Sequence, residues 1–135
     1  MSLCSKSLKY IIFSDTTDNI KQGSGIKLLT HEFGIMNEVP EKIFYSKYEP
    51  EKYNCISVDD ELVLQIAERI SEINMYWHTL DRLGKGLAYY GITLIPPSAF
   101  SELLSVIEDI PDLRELAELL KQAKRQNAFV IHFGV

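Results

Sequence analysis

Histidine is the residue type best suited to acid–base chemistry near neutral pH, and the 135-residue sequence contains three of them. His78 and Asp81 stand three positions apart, so on a helix they would share one face. A carboxylate that orients an imidazole is the arrangement of a general base. The same spacing is typical of a polar pair on a helix surface, and no nucleophile motif such as G-x-S-x-G accompanies it. A small hydrolase-like enzyme that uses His78 and Asp81 therefore stays an alternative interpretation.

Asp15 and Asp18 are a second candidate for chemistry. They follow a strand predicted over residues 8–13, a position where many phosphate-transfer and nuclease folds hold a metal. Such a site needs further carboxylates, and a turn after a strand recruits aspartate for its own backbone hydrogen bonds. The turn is the favoured interpretation. The enzymatic alternative would use either His78 and Asp81 or Asp15 and Asp18.

The other two histidines are expected in non-catalytic settings. His31 and Glu32 are adjacent, so their side chains point apart in a strand or a helix. In the C-terminal segment, His132 takes one face of a strand while Ile131 and Phe133 take the other. The sequence predicts that His132 is a sheet histidine satisfied by hydrogen bonds.

Metal and cofactor motifs are missing from the sequence. There is no C-x-x-C or H-x-x-x-H pair, and Cys4 is far from Cys55 along the chain. The glycine pairs match neither G-x-G-x-x-G nor the Walker pattern. We therefore expect no metal and no cofactor, and we expect both cysteines to be free thiols.

Length and hydropathy predict one domain over residues 1–135, large enough to bury a core without a metal or a disulfide. The apolar run near the N-terminus covers only Tyr10 to Phe13, which is too short for a signal peptide. No stretch approaches the roughly 20 apolar residues of a membrane span. These features predict a cytoplasmic protein that contacts no membrane, and they leave its oligomeric state open.

Negative charge is concentrated in two bands. The net charge is −5. Residues 49–72 hold seven acidic and two basic side chains, and residues 102–118 hold six acidic and one basic, so each band has a balance of −5. Binding to a phosphate backbone needs clustered Lys and Arg, so direct binding of nucleic acid is disfavoured. A basic protein surface is a suitable partner, although such bands are equally typical of solvated helix faces.

Hydrophobic periodicity and turn signals place the elements. Strands are predicted over residues 8–13, 41–47, 53–58, 91–95 and 128–135, with the second and third forming a hairpin. A long helix is predicted from Asp59 to about Leu83, and two shorter helices over residues 99–110 and 113–126. Residues 26–39 have mixed periodicity and are left unassigned. The predicted fold class is α+β, with one sheet of four or five strands and one long and two shorter helices packed against it.

The C-terminal half carries two distinctive stretches, LAYYGITLIPP at residues 87–97 and FVIHFGV at residues 129–135. With the acidic helices between them, they resemble small acidic bacterial immunity proteins of polymorphic or contact-dependent growth-inhibition toxin systems. The resemblance covers about residues 80–135. It implies a cytosolic inhibitor that binds one cognate toxin C-terminal domain, commonly a nuclease, and is not itself an enzyme.

The binding residues are chosen from charge and residue type, because the resemblance carries over no interface residue. Acidic side chains of the long helix would meet the basic toxin surface, and tyrosines of the hairpin would be apolar anchors. The predicted partner-binding residues are Tyr48, Tyr53, Asp59, Asp60, Glu61, Glu68 and Glu72.

Overall fold

The structure is a computed structural model that describes residues 29–135. The strand predicted over residues 8–13, the Asp15–Asp18 turn and Cys4 lie outside the described residues. Within the described part, no helix is both long and apolar enough to cross a membrane.

The described chain forms an α+β fold around one open antiparallel sheet, which confirms the predicted class. The sheet has six strands where four or five were predicted. They are β1 (Thr30–Ile35), β2 (Ile56–Asp59), β3 (Asn74–Trp77), β4 (Leu83–Lys85), β5 (Ile92–Ile95) and β6 (Val130–Phe133). Their order across the sheet is β2-β1-β6-β5-β3-β4, so the C-terminal strand lies in the centre.

Residues 29–135 contain three α-helices, named in chain order: α1 (Asp60–Ile66), α2 (Phe100–Ile107) and α3 (Arg114–Gln126). The two helices predicted in the C-terminal half are confirmed. Each is preceded by a short 3-10 turn that begins at a proline, as expected from a ring that fixes φ and lacks an N–H. Asn127 ends α3 in the left-handed conformation with φ 53°, which asparagine tolerates better than most residues.

The two faces of the sheet are covered by different layers. On one face, α1, α2 and α3 pack against alternate strand residues such as Phe33, Ile95 and Val130. The other face presents Ile131 and Phe133, and the irregular segment over residues 37–54 lies across it. We call this segment the strap. Because both faces are covered, every residue of β5 and β6 is buried.

The strap approaches the sheet closely at Gly34 of β1. A Cβ atom built there would lie 2.6 Å from the carbonyl oxygen of Tyr53 and 2.7 Å from Sγ of Cys55. Near its middle, the strap is held by the backbone hydrogen bond from Tyr45 N to the carbonyl of His78, at 2.7 Å. Gly34 is therefore required by packing and not by an unusual φ.

The prediction of a long helix after Asp59 was wrong. The helix ends at Ile66, turns follow, and the chain then forms β3 and β4. Ile70 and Ile73 lie in these turns and are still buried in the core. Apolar residues at helical spacing are therefore buried here without forming a helix. Beyond them, Tyr76 pairs with Leu94 of β5. Tertiary pairing overrides the local pattern here.

The prediction of a hairpin from residues 41–47 and 53–58 was also wrong. Residues 41–47 belong to the strap and form no strand, and β2 begins only at Ile56. The partner of β2 is β1, with Phe33 opposite Ile56. This pairing buries Val58 and Phe33 on the helix-covered face, whereas Phe44 of the strap stays 59% exposed.

Gly84 provides a test of the β3–β4 pairing. A Cβ atom there would lie 2.5 Å from two ring carbons of Trp77, so Gly84→Ala overpacks the pair and should lower the free energy of unfolding by about 1–3 kcal/mol. In the interior of a helix, the same substitution would instead stabilise by up to about 1 kcal/mol. Urea denaturation distinguishes the two outcomes. Gln122→Ala, at an exposed position of α3, is the control and should have little effect.

Candidate functional site

The buried polar and charged side chains of the described residues are His31, Asp60, Thr93 and His132. They belong to β1, α1, β5 and β6, and all of them join one hydrogen-bonded network with Tyr89 of the turn before β5. Residues that are far apart in the sequence meet because β6 lies between β1 and β5, with Thr93 opposite His132 in the register. We call these five residues the imidazole network.

Distances in the imidazole network are those of direct hydrogen bonds. Nδ1 of His31 lies 2.9 Å from Nε2 of His132, and Nε2 of His31 lies 2.9 Å from Oδ1 of Asp60. Nδ1 of His132 lies 3.1 Å from Oγ1 of Thr93. The Tyr89 hydroxyl donates to Oδ1 of Asp60 at 2.5 Å. The two imidazole rings lie edge to edge and nearly parallel, with centroids 5.1 Å apart and an interplanar angle of 18°.

These contacts assign the tautomers. An Asp60 carboxylate needs a donor at Nε2 of His31, which leaves Nδ1 of a neutral His31 as an acceptor. Nε2 of His132 must then donate to it, and Nδ1 of His132 must accept from the Thr93 hydroxyl. Oγ1 of Thr93 in turn accepts from the backbone N–H of Ala88 at 2.8 Å. With both rings neutral, these contacts place the hydrogen of each imidazole on Nε2.

Burial dominates the electrostatics at His132. Its removal from water lowers its pKa well below 6.5, and the neighbouring His31 lowers it further. A neutral imidazole is thus the stable form inside the sheet. The prediction that His132 is a sheet histidine satisfied by hydrogen bonds is confirmed.

Sequence reasoning missed His31 and misplaced Asp60. His31 lies in the segment left unassigned, where the alternation of His31, Phe33 and Ile35 was the available signal for a strand. Asp60 was predicted on the surface of a long helix, yet it is only 2% exposed and bonded to His31. Its partners lie 29 positions away on either side, so no local pattern could have indicated them.

His78 and Asp81 do not share a helix face, because both lie in the connection between β3 and β4. His78 has φ 66°, and its Nδ1 lies 2.7 Å from the carbonyl of Tyr45. Phe44 stacks on its ring at a centroid distance of 4.8 Å. His78 therefore holds the strap to the sheet.

The predicted acidic residues are only partly brought together. Asp59, Asp60 and Glu61, at the start of α1, line a surface cleft together with Asp112, from the 3-10 turn before α3. The two acidic bands of the sequence thus meet at this cleft, and we call Asp59, Glu61 and Asp112 the acidic cleft. Because Asp60 itself is buried, it cannot add an exposed charge.

The two remaining acidic residues of the prediction, Glu68 and Glu72, are exposed in the turns after α1. Glu72 pairs with Lys85 of β4 at 3.2 Å. Such an exposed ion pair adds little stability. Both carboxylates thus remain at the surface, outside the set that lines the acidic cleft.

The predicted tyrosines belong to the strap. Tyr48 is 63% exposed, donates to Oε2 of Glu32 at 2.5 Å and meets the ring of Phe133 edge-on. Partial burial and the adjacent Glu32 carboxylate raise the pKa of Tyr48 to about 12. Tyr53 is half-buried against the sheet face that the strap covers, and that burial raises its pKa. Tyr48 is thus the more accessible of the two anchors.

Metal-binding geometry is not found among residues 29–135, where no three His, Cys, Asp or Glu side chains are placed to hold an ion. Cys55 is a free thiol. Half-burial and the Glu32 carboxylate raise its pKa to about 12, so the thiolate that would bind a metal or attack a substrate is disfavoured.

No family model, curated protein or solved structure matches this chain.

The imidazole network predicts a specific acid sensitivity. Because the pKa of His132 is depressed in the folded chain, the unfolded chain binds a proton at higher pH than the folded one does. The stabilisation is complete above about pH 6.5 and falls below it, by up to about 1.4 kcal/mol per pH unit for this one residue. Urea denaturation between about pH 7.5 and pH 5 measures the loss. His132→Gln should flatten this dependence and His78→Gln should not; equal slopes in all three proteins would contradict the assignment.

Thr93 is predicted to contribute through its hydroxyl. Thr93→Val leaves Nδ1 of His132 and the N–H of Ala88 without their partner, which should lower the free energy of unfolding by about 1–3 kcal/mol. Thr79→Val is the matched control. The Thr79 hydroxyl accepts a long 3.3 Å bond from the N–H of Asp81 in an exposed turn, so its loss should change stability by at most about 0.5 kcal/mol. A comparable loss of unfolding free energy in both variants would show that the Thr93 hydroxyl stabilises the fold no more than an exposed hydroxyl does.

Proposed function

We propose that this chain is an immunity protein that binds and neutralises one cognate bacterial toxin domain in the cytoplasm. A nuclease domain is the toxin class favoured. The observation that carries the proposal is the acidic cleft, at which carboxylates from both acidic bands of the sequence line one surface. A nuclease must be basic to hold nucleic acid, so an acidic inhibitor competes for the same surface.

Exposed apolar side chains give the proposal a second support. Val39 is 82% exposed, Phe44 59% and Tyr48 63%, and all three lie on the strap. Aromatic residues beside charged ones are typical of interface anchors, and a single protein often uses charge to steer encounter and apolar contact to retain its partner. In this proposal, Tyr48 and Tyr53 keep their role as anchors, and Asp59, Glu61, Glu68 and Glu72 supply the charge.

The enzymatic alternative has less support. His78 serves the backbone of the strap, and the five residues of the imidazole network satisfy one another inside the protein. A general base must reach a substrate proton within hydrogen-bond distance, and a fully buried imidazole cannot do so without a rearrangement. Asp15 and Asp18 lie outside the described residues.

The proposal is tested by co-expression. We expect the gene immediately upstream to encode a large secreted protein whose C-terminal domain is toxic when expressed alone. Co-expression of the present chain should restore growth, and the purified domain should bind it with a Kd that rises with ionic strength. Growth arrest without rescue, together with no measurable complex, would refute the proposal.

Charge reversal tests the surface. Because opposite charges attract across the interface, the triple variant Asp59→Lys, Glu61→Lys and Glu68→Lys should raise the Kd about 10- to 100-fold. Asp60 is excluded because a buried lysine beside His31 would unfold the chain.

The control for this variant carries the same change in net charge at Asp81, Glu102 and Glu118, which are exposed residues outside both the acidic cleft and the strap. The control should bind nearly as well as the wild type. An equal loss of affinity in both triple variants would mean that net charge alone matters and that the acidic cleft is not the binding surface.

A further inference from the structure

The imidazole network adds side-chain bonds to two segments that have few backbone bonds to the chain around them. Asp60 N donates to the carbonyl of Leu29 at 3.0 Å, and the turn over residues 88–91 accepts from Gly134 N at 2.8 Å and from Val135 N at 3.0 Å. Asp60 is the first residue of α1, and its carboxylate accepts hydrogen bonds from His31 of β1 and from Tyr89 of the turn before β5. On the other side, His132 is bonded to Thr93, which also receives the N–H of Ala88. The start of α1 and the turn over residues 88–91 are thus fastened to the sheet through two imidazole rings.

In the neutral network every ring nitrogen is occupied. Each imidazole donates through Nε2 and accepts through Nδ1, so neither ring has a lone pair open to a proton. A first proton can enter at Nδ1 of His132 only if the Thr93 hydroxyl rotates away. The charge can then pass to His31, beside the Asp60 carboxylate, which compensates it.

A second proton has no such accommodation. With both rings doubly protonated, Nδ1–H of His31 would face Nε2–H of His132 across 2.9 Å, where only one hydrogen fits. Two buried positive charges would also repel each other. Among residues 29–135, the titratable groups in hydrogen-bond or ring contact with the pair are Asp60 from α1 and Tyr89 from the turn. The other contacts are Thr93 from β5 and the ring of Phe33 from β1.

We propose that His31 and His132 form an acid-operated latch, which holds the first turn of α1 and the turn over residues 88–91 to the sheet and releases both when the pair takes up a second proton. The latch goes beyond toxin binding, because it is a property of the free chain. The released segments carry Asp59, Glu61 and the exposed Tyr90. A weakening of toxin binding on acidification would rest on the proposed function, whereas the opening of the latch does not depend on it.

Segment-resolved hydrogen exchange of the purified full chain tests the latch. Rates are measured at about pH 7.5 and about pH 4.5, on either side of an ordinary histidine pKa, and are corrected for intrinsic exchange. Each proton taken up on opening favours the open state about tenfold per pH unit. Residues 59–66 and 88–93 should therefore lose protection by at least about tenfold, while α3 keeps its protection.

Variants connect the opening to the imidazoles. His132→Gln cannot take up the second proton, so its exchange in residues 59–66 and 88–93 should not change with pH. His78→Gln, which removes the third histidine of the sequence, should respond as the wild type does. If His132→Gln fails to fold, the pH dependence of hydrogen exchange in the wild type still tests the latch. Loss of protection in α3 to the same degree, or no change in either segment, would overturn the latch.

Discussion

Two imidazole rings lie side by side in the middle of the sheet, and the space between their nitrogens admits one hydrogen. That constraint orders the network around it. His31 must donate to Asp60 and His132 must accept from Thr93, which ties α1, β1, β5 and β6 to one another. It depends in turn on β6 lying between β1 and β5, since only that order brings the two rings together. Burying four polar side chains in this way, beside the partly buried Tyr89, is tolerable because each has a partner.

The division between interior and surface favours binding over catalysis. His31, His132 and Asp60 are buried and hydrogen-bonded within the imidazole network. His78 holds the strap. Carboxylates outside the network remain at the surface, at the acidic cleft and along the turns after α1. An acidic surface suits a basic protein partner, and the imidazole network stabilises the elements that carry it.

The sequence predicted the elements whose signals are local. The helices α2 and α3, the strands β5 and β6 and the α+β class all followed from periodicity and turn signals. It failed after Ile66, where Ile70 and Ile73 keep a helical spacing although the backbone turns toward β3. It also failed at the strap, because the strand that pairs with β2 comes from a segment of mixed periodicity. The imidazole network depends on pairings 29 to 101 positions apart and therefore has no local signature beyond the alternation of His132.

The protonation of the two imidazoles is the most direct measure of this account, because the structural assignment of the network depends on it. Long-range proton–nitrogen correlation spectra of the histidine side chains at neutral pH separate protonated from unprotonated ring nitrogens. The account predicts a hydrogen on Nε2 and a bare, accepting Nδ1 in both His31 and His132. A hydrogen on Nδ1 of either ring, or a positively charged imidazole at neutral pH, would contradict it.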